Sequence, residues 1–347
     1  MKFIGFIVLM LIGFLGDVCI AAAPPDTLTL TDLVNRPDRW PATVTLARDF
    51  QFNNGAVVHT GDSAQVKRFD GRQVALVAGK VSFLATPQDC GLLEAANQAW
   101  AALSPAQRAI DSDSLPNDLT IWPVRVALPA GMSCSFGRLP PATEVVLLNI
   151  TAKGPVIQWP NSNNRISTDF PGTDVIARAR QLALIDPDKR PSRIAAALDG
   201  IMVDADGKPF HDEHLGDKRF FAFYFGAGWC PPCRTFSPDL VKYADDALPK
   251  HPELAMVLLS RDHSTQEMLA YMKEEKMPFP AVAPQALDQS NMLGTLTADT
   301  RMIPHMVVVD RWGKVLAANA DGQGNLTDAT DTISTLDKLL NAPPASQ

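Results

Sequence analysis

Two cysteines lie three positions apart in the segment GAGWCPPCRTF, residues 226 to 236. A hydrophobic stretch precedes them and a helical pattern follows, so Cys230 falls where a strand ends and a helix begins. The free amides and positive dipole end of that helix point at its sulfur, and we expect Cys230 to be the more acidic thiol. Cys233, one turn deeper, is within reach of a disulfide with it. The spacing predicts a redox pair in which Cys230 attacks and Cys233 resolves the mixed disulfide.

The residues next to the cysteines suit the start of a helix. Pro231 and Pro232 fit the first helical positions, where a missing amide hydrogen leaves no helical bond unmade, and they stiffen the loop. Trp229 completes the expected active-site loop. Such chemistry needs no metal and no organic cofactor, because the reversible Cys230–Cys233 disulfide carries the electrons.

Three other uses of the pair stay open. A zinc site needs four ligands, and no second CxxC or HxxxH completes the set; His211 and His214 form an HxxH that a solvated turn explains. A copper carrier would recruit His305 as a third ligand beside the soft thiolates. A purely structural disulfide is the third alternative.

The region around the pair alternates strands and helices. Hydrophobic strands are predicted at residues 219–225 and 254–260, helices at 231–248 and 265–276, and a hairpin with a final helix afterwards. Uninterrupted hydrophobic strands between helices indicate a sheet covered on both faces. We therefore predict an α/β domain over residues 196–341, a disordered tail at 342–347, and a charged, proline-containing linker at 185–195.

Residues 24–184 have a different pattern, with several short strands and a few helices. Asn54-Gly55 and Asp70-Gly71 are dipeptides typical of tight hairpins. In strand pattern alone this region resembles SH3-like barrels, and we expect a mainly β, SH3-like region here.

The first 23 residues carry one cation, Lys2, then a hydrophobic run and the small residues of AAA at the end. This pattern predicts a cleaved secretory signal and an exported protein, periplasmic or secreted. An uncleaved membrane anchor and lipid attachment at Cys19 are the alternatives. The net charge of -7 argues against a nucleic-acid partner.

Export changes how the remaining cysteines are interpreted, because an oxidising compartment lets disulfides persist. Removal of Cys19 with the signal leaves four, an even number that can form two pairs. We predict a structural bridge between Cys90 and Cys134 beside the Cys230–Cys233 pair.

The segment YFGAGWCPPCRTFSPDL resembles the active-site segment of thioredoxin-fold proteins of the tryparedoxin and nucleoredoxin type. LGDKRFFAFYF resembles the family's central strand, Pro238 matches the proline that bends its active-site helix, and VLLSRDHSTQEMLAYMKEEKMPFPAV resembles the next strand, serine-aspartate turn and helix. The resemblance covers about residues 196 to 341 and does not reach the first half of the chain.

The resemblance also implies roles for other residues. Pro304 matches the cis-proline that faces the two cysteines, and Ile303 would offer its backbone to an extended substrate. Thioredoxins proper carry a buried aspartate six residues before the first cysteine, and Tyr224 stands there instead, so the general base is unidentified. Arg234 adds positive charge that should favour the thiolate, unless it is a solvated helix arginine.

The resemblance implies a thiol-disulfide oxidoreductase that reduces protein disulfides, with an oxidase or isomerase role second. Its expected partners are a protein dithiol or disulfide substrate and an electron-donating membrane or envelope reductase. The alternatives are an envelope binding or scaffold protein with a dormant fold, and a copper metallochaperone.

Overall fold

A computed structural model describes residues 25–34, 36–290, 292–293, 302–320 and 325–342. The predicted signal at residues 1–23 lies outside these ranges, as does the predicted tail except for residue 342. Within them, no helix combines the length and hydrophobicity needed to cross a membrane.

The first part of the chain forms a four-stranded antiparallel sheet and a small hairpin. The sheet order is β1-β4-β5-β6, and β2 pairs with β3. Helix α2 begins after Gly91, whose φ of 55° suits glycine, and packs on the same hydrophobic core. The elements are α1 Leu30–Leu33, β1 Thr43–Thr45, β2 Phe50–Gln51, β3 Val57–Val58, β4 Ser63–Phe69, β5 Val74–Ala78, β6 Val81–Ala85 and α2 Leu92–Ala101.

The second part repeats this plan around a separate core. Its sheet has the order β12-β11-β10-β7, a hairpin pairs β8 with β9, and helix α4 packs on the core. The elements are α3 Pro105–Arg108, β7 Arg125–Leu128, β8 Met132–Cys134, β9 Gly137–Leu139, β10 Thr143–Thr151, β11 Gly154–Gln158, β12 Arg165–Ser167 and α4 Val175–Leu182.

The expected SH3-like barrel is not confirmed. Within the described residues, both four-stranded sheets are open, and neither closes into a barrel. The hairpin dipeptides predicted turns correctly, but turn chemistry alone does not say whether the first and last strands of a sheet meet. The region is mainly β in several small sheets.

The C-terminal part is a six-stranded mixed sheet in the order β13-β16-β15-β14-β17-β18. Strand β14 is central; it runs parallel to β15 and antiparallel to β17. The elements are α5 Arg193–Leu198, β13 Met202–Val203, β14 Phe220–Gly226, α6 Pro231–Ala247, β15 Leu254–Ser260, α7 Thr265–Glu275, β16 Ala281–Val282, α8 Pro284–Gln289, β17 His305–Asp310, β18 Val315–Ala318 and α9 Ala329–Asn341.

Both faces of this sheet are buried, which explains why its strands read as continuous hydrophobic runs. On β14, Phe220, Ala222 and Tyr224 face the core shared with α6, α7 and α9. The intervening Phe221, Phe223 and Phe225 face a second core with α5 and α8. This double burial fixes the end of β14 and therefore the loop that carries the cysteines.

We predict that Phe223→Ala destabilises the C-terminal domain by about 3–5 kcal/mol, since the ring is fully buried and its loss leaves a cavity. Denaturant unfolding of the full chain, followed by the tryptophan and tyrosine signal, measures the change. Val315→Ala, on an exposed side chain of the same sheet, is the control. Equal losses for the two variants would contradict the two-faced core.

Candidate active site

Cys230 caps helix α6. Its sulfur accepts the backbone N–H of Cys233 at 3.3 Å, and α6 begins at the next residue, Pro231. The predicted geometry is confirmed in this respect, because the sulfur lies where helix amides are free to donate to it. Cys230 is 3% exposed and Cys233 is fully buried, so incoming reagents meet Cys230 first.

The prolines have the predicted local setting. Pro231 and Pro232 occupy the first helical positions and are exposed, while Pro238 lies inside the helix. The helix continues through Pro238 to Ala247 and buries Phe236 and Leu240 against the sheet. The cysteines are therefore carried by a packed helix rather than by a free loop.

Burial raises the pKa of Cys233 to about 12, and the neighbouring Cys230 sulfur adds to the rise. A hydrogen bond from Tyr224 acts in the opposite direction. The inner sulfur is therefore a thiol at neutral pH in the dithiol form, and it needs a proton acceptor before it can attack.

Three hydroxyl groups form a network next to Cys233, and two of them, those of Tyr224 and Ser237, donate to its carbonyl. The Tyr224 hydroxyl lies 3.0 Å from that of Tyr271 and 3.4 Å from Ser237 Oγ, and Ser237 donates to the Cys233 carbonyl at 2.8 Å. Tyr271 and Ser237 are also hydrogen-bonded to each other. The three groups of this network are neutral hydroxyls.

Burial is the main cause that raises the pKa of Tyr224, and it raises the pKa of Tyr271 to about 12. Both phenols therefore stay neutral at physiological pH and act as hydrogen-bond donors. Gly226 makes room for the Tyr224 ring, since a Cβ there would lie 2.5 Å from it. Sequence reasoning identified Tyr224 but missed Tyr271 and Ser237, whose positions on α7 and α6 give no signal without the packing.

A buried carboxylate supports the loop before the cysteines. Asp262 accepts the backbone N–H of Gly228 at 2.8 Å and the hydroxyl of Ser260 at 2.9 Å. Burial raises the pKa of Asp262, and these two hydrogen bonds oppose the rise. The carboxylate is thus engaged in holding the loop in place.

Trp229 forms an exposed platform beside the cysteines. Its indole N–H donates to the Arg261 carbonyl at 3.1 Å, and its ring stacks on His263 with centroids 5.6 Å apart and planes 13° apart. The side chain is 53% exposed. A large hydrophobic face held rigid and open to solvent suits contact with another molecule.

Arg234 pairs with carboxylates on α7. Its guanidinium pairs with Glu274 at 2.9 Å and Glu275 at 3.8 Å on α7, and Nε donates to the Gly228 carbonyl. Arg234 therefore ties the loop to α7. The side chain is partly exposed, which limits the strength of these pairs.

The Ile303–Pro304 peptide bond is cis, as the resemblance implied. Cys230 Sγ donates to the Ile303 carbonyl at 3.8 Å, so this bend faces the outer cysteine. Ile303 and Pro304 are half-buried and the preceding Met302 is 48% exposed. The bend therefore lies against the sulfur of Cys230, the residue that follows Trp229.

The histidines considered as metal ligands lie apart from one another. His211 and His214 are exposed near the start of β14, and His214 pairs with Asp217. His305 is buried, with Nδ1 2.9 Å from Asn319 Oδ1 and its ring stacked on Phe225. Within the described ranges, no cluster of three or more His, Cys, Asp or Glu side chains is arranged to hold a metal ion.

The structure does not join Cys90 to Cys134. Both are free thiols. Cys90 is fully buried in the first core and donates to the Thr86 carbonyl at 3.3 Å, whereas Cys134 ends strand β8 of a hairpin in the second part of the chain. An even count of cysteines gives no information on distance, and these two belong to separate structural units.

Comparisons with known proteins find similarity in the C-terminal part of the chain. A family model described as thioredoxin-like matches residues 218–315. A probable nucleoredoxin 1 of Arabidopsis thaliana is 30% identical over 131 residues, which are 38% of this chain and 22% of the relative. Nucleoredoxin of Xenopus laevis is 30% identical over 100 residues, 29% of this chain and 23% of the relative. The matches therefore span less than a quarter of each relative.

Among solved structures, a thioredoxin from Wuchereria bancrofti is 26% identical and covers 40% of this chain and 94% of its own, with a TM-score of 0.30. A tryparedoxin from Trypanosoma brucei is 25% identical and covers 36% of this chain and 85% of its own, with a TM-score of 0.30. The matched residues 218–315 include both cysteines of the helix-capping pair, and the C-terminal domain of this chain is thioredoxin-like.

Proposed function

We propose that this chain is a thiol-disulfide oxidoreductase that reduces protein disulfides through Cys230 and Cys233. The proposal rests on the position of the Cys230 sulfur at the amino end of α6. There it accepts a hydrogen bond from the backbone amide of Cys233, which is fully buried. The match to a thioredoxin-like family supports an oxidoreductase in general terms. The specific activity, reduction of protein disulfides, is what we propose.

In the first step, the Cys230 thiolate attacks one sulfur of a substrate disulfide. The substrate S–S bond breaks, a mixed disulfide forms, and the electron pair leaves with the other substrate sulfur, which takes up a proton. Cys233 then loses its proton and attacks Cys230 Sγ, which releases the second substrate thiol. The substrate gains two electrons, and the Cys230–Cys233 disulfide is left for a donor to reduce.

The hydroxyl network supports the second step. The Tyr224 hydroxyl can stabilise a thiolate at Cys233, and Tyr271 and Ser237 hold it in place. In this proposal, the thiol proton of Cys233 passes to the leaving substrate sulfur or to solvent that enters when the mixed disulfide forms.

An extended substrate would lie between Trp229 and the Ile303–Pro304 bend. Trp229 contributes an exposed ring, and the Ile303 backbone offers hydrogen bonds to a peptide. The electron donor in this proposal is a membrane or envelope dithiol reductase. Function outside the cytoplasm, in the periplasm or after secretion, is part of the same proposal and rests on the signal-like first 23 residues.

The proposal predicts a covalent intermediate in the Cys233→Ser variant, because the mixed disulfide on Cys230 can no longer be resolved. Incubation with a disulfide substrate such as insulin, followed by mass spectrometry without reduction, detects the adduct. Cys230→Ser should form no adduct and lose reductase activity, whereas Cys134→Ser should retain both. Adducts spread over Cys90, Cys134 and Cys233 would contradict the assignment.

The two thiols should also differ in reactivity. At pH 8, iodoacetamide should alkylate Cys230 of the reduced chain and leave Cys233 unmodified, because burial holds the pKa of Cys233 near 12 and covers its sulfur. Peptide mapping measures each position, and the chain unfolded in urea is the control in which both react. Faster modification of Cys233 in the folded chain would reverse the roles.

Tyr224→Phe tests the hydroxyl network. Without this donor the Cys233 thiolate loses a stabilising hydrogen bond, so the pKa of Cys233 rises and resolution slows by about tenfold at neutral pH. Stopped-flow decay of a preformed mixed disulfide, measured across pH, should show a profile displaced to higher pH. Tyr243→Phe, on the same helix as the cysteines, is the control. An unshifted profile would remove Tyr224 from the mechanism.

A further inference from the structure

A cavity of about 380 Å³ lies between the second N-terminal sheet and the thioredoxin-like domain. One wall comes from the loop before β7 and from β10, and the other from the start of α5 and the turn between β17 and β18. Hydrophobic side chains such as Trp122, Leu148, Ile194 and Trp312 dominate the lining, and none of the lining residues is acidic. The cavity is separate from the cysteine site, and it shares no residue with it.

Arg193 is the charged group of this cavity, and it is 4% exposed. Nη2 donates to the carbonyls of Leu147 at 2.9 Å and Leu148 at 3.4 Å, and the guanidinium lies 5.1 Å from the Trp122 ring centre. Nε is buried and has no hydrogen-bond partner. Burial alone lowers the pKa of Arg193 to about 10, with no neighbouring charge contributing.

A buried guanidinium without a carboxylate is expensive to keep. Arg180 is comparably buried, and burial lowers its pKa too, but the charges of Asp38 and Asp111 oppose that effect. Among the described residues, Arg193 forms no ion pair with an Asp or Glu, and burial is the one cause of its lowered pKa. Those residues therefore supply Arg193 with no counter-charge in contact.

Trp312 supplies a second donor to the same cavity. Its indole Nε1 is buried and has no hydrogen-bond partner. Arg193 and Trp312 thus both line the cavity, and each carries a buried N–H group without an acceptor. An acceptor with negative charge would satisfy both, and the walls would cover a hydrophobic body attached to it.

We propose that this cavity binds a carboxylate that carries a hydrophobic or aromatic body, with the carboxylate on Arg193 Nε and Trp312 Nε1. Since both halves of the chain form the walls, the ligand also joins the N-terminal region to the thioredoxin-like domain. The same chemistry is offered by a small organic acid and by the carboxyl end of a peptide that finishes in a hydrophobic residue.

Matched pairs of probes test this in the full chain by isothermal titration calorimetry. 3-Phenylpropionate is compared with 3-phenylpropionamide, and the tripeptide Ala-Ala-Phe with its C-terminal amide. We expect at least one carboxylate to bind about tenfold tighter than its amide, because only the charged form pairs with the guanidinium. The member of the series that binds distinguishes an organic acid from a peptide end.

Two variants locate the site. Arg193→Gln should weaken binding of the carboxylate about tenfold and leave binding of the amide unchanged. Trp312→Phe keeps an aromatic ring at this position and removes the indole N–H. In a ¹⁵N-labelled chain, the indole resonance absent from Trp312→Phe should shift on addition of the carboxylate. If Arg193→Gln does not fold, the shift of the Trp312 indole resonance and the difference in affinity between each acid and its amide still test the proposal. Failure of every carboxylate to bind, equal binding of acid and amide, or an unmoved Trp312 signal would overturn the proposal.

Discussion

The position of one sulfur at the amino end of a helix is the constraint on which the site depends. Cys230 caps α6 by accepting the amide of Cys233, and this geometry exists because β14, buried on both faces, ends at Gly226 directly before the loop. The helix is in turn packed against the same sheet through Phe236 and Leu240. A shift of strand or helix by one residue would turn the sulfur away from the helix amides.

The surrounding loop is held by polar contacts from three directions. Asp262 bonds to the Gly228 amide, Arg234 bonds to the Gly228 carbonyl while pairing with α7, and Trp229 bonds to the strand end at Arg261. Next to Cys233, three neutral hydroxyls form a network. Asp262, a buried carboxyl near the cysteines, holds the loop through the Gly228 amide.

Patterns that depend on local chemistry were predictable. The run LAMVLLS coincides with β15, HMVVVD coincides with β17, and the prolines after Cys230 mark the start of α6. Long-range relations were not predictable. Tyr271 lies 47 positions from Tyr224, and the open sheets of the first half depend on which strands meet. The Cys90–Cys134 bridge failed for the same reason, since a count of cysteines contains no distances.

The most direct test is an equilibrium oxidation of the full chain in dithiothreitol redox buffers, with disulfides mapped at each potential. The account predicts one reversible two-electron transition, in which a tenfold change in the equilibrium constant corresponds to about 30 mV, and a Cys230–Cys233 disulfide as its product. A chain whose Cys230 and Cys233 stay reduced across the range, or that oxidises only through other cysteines, would contradict it.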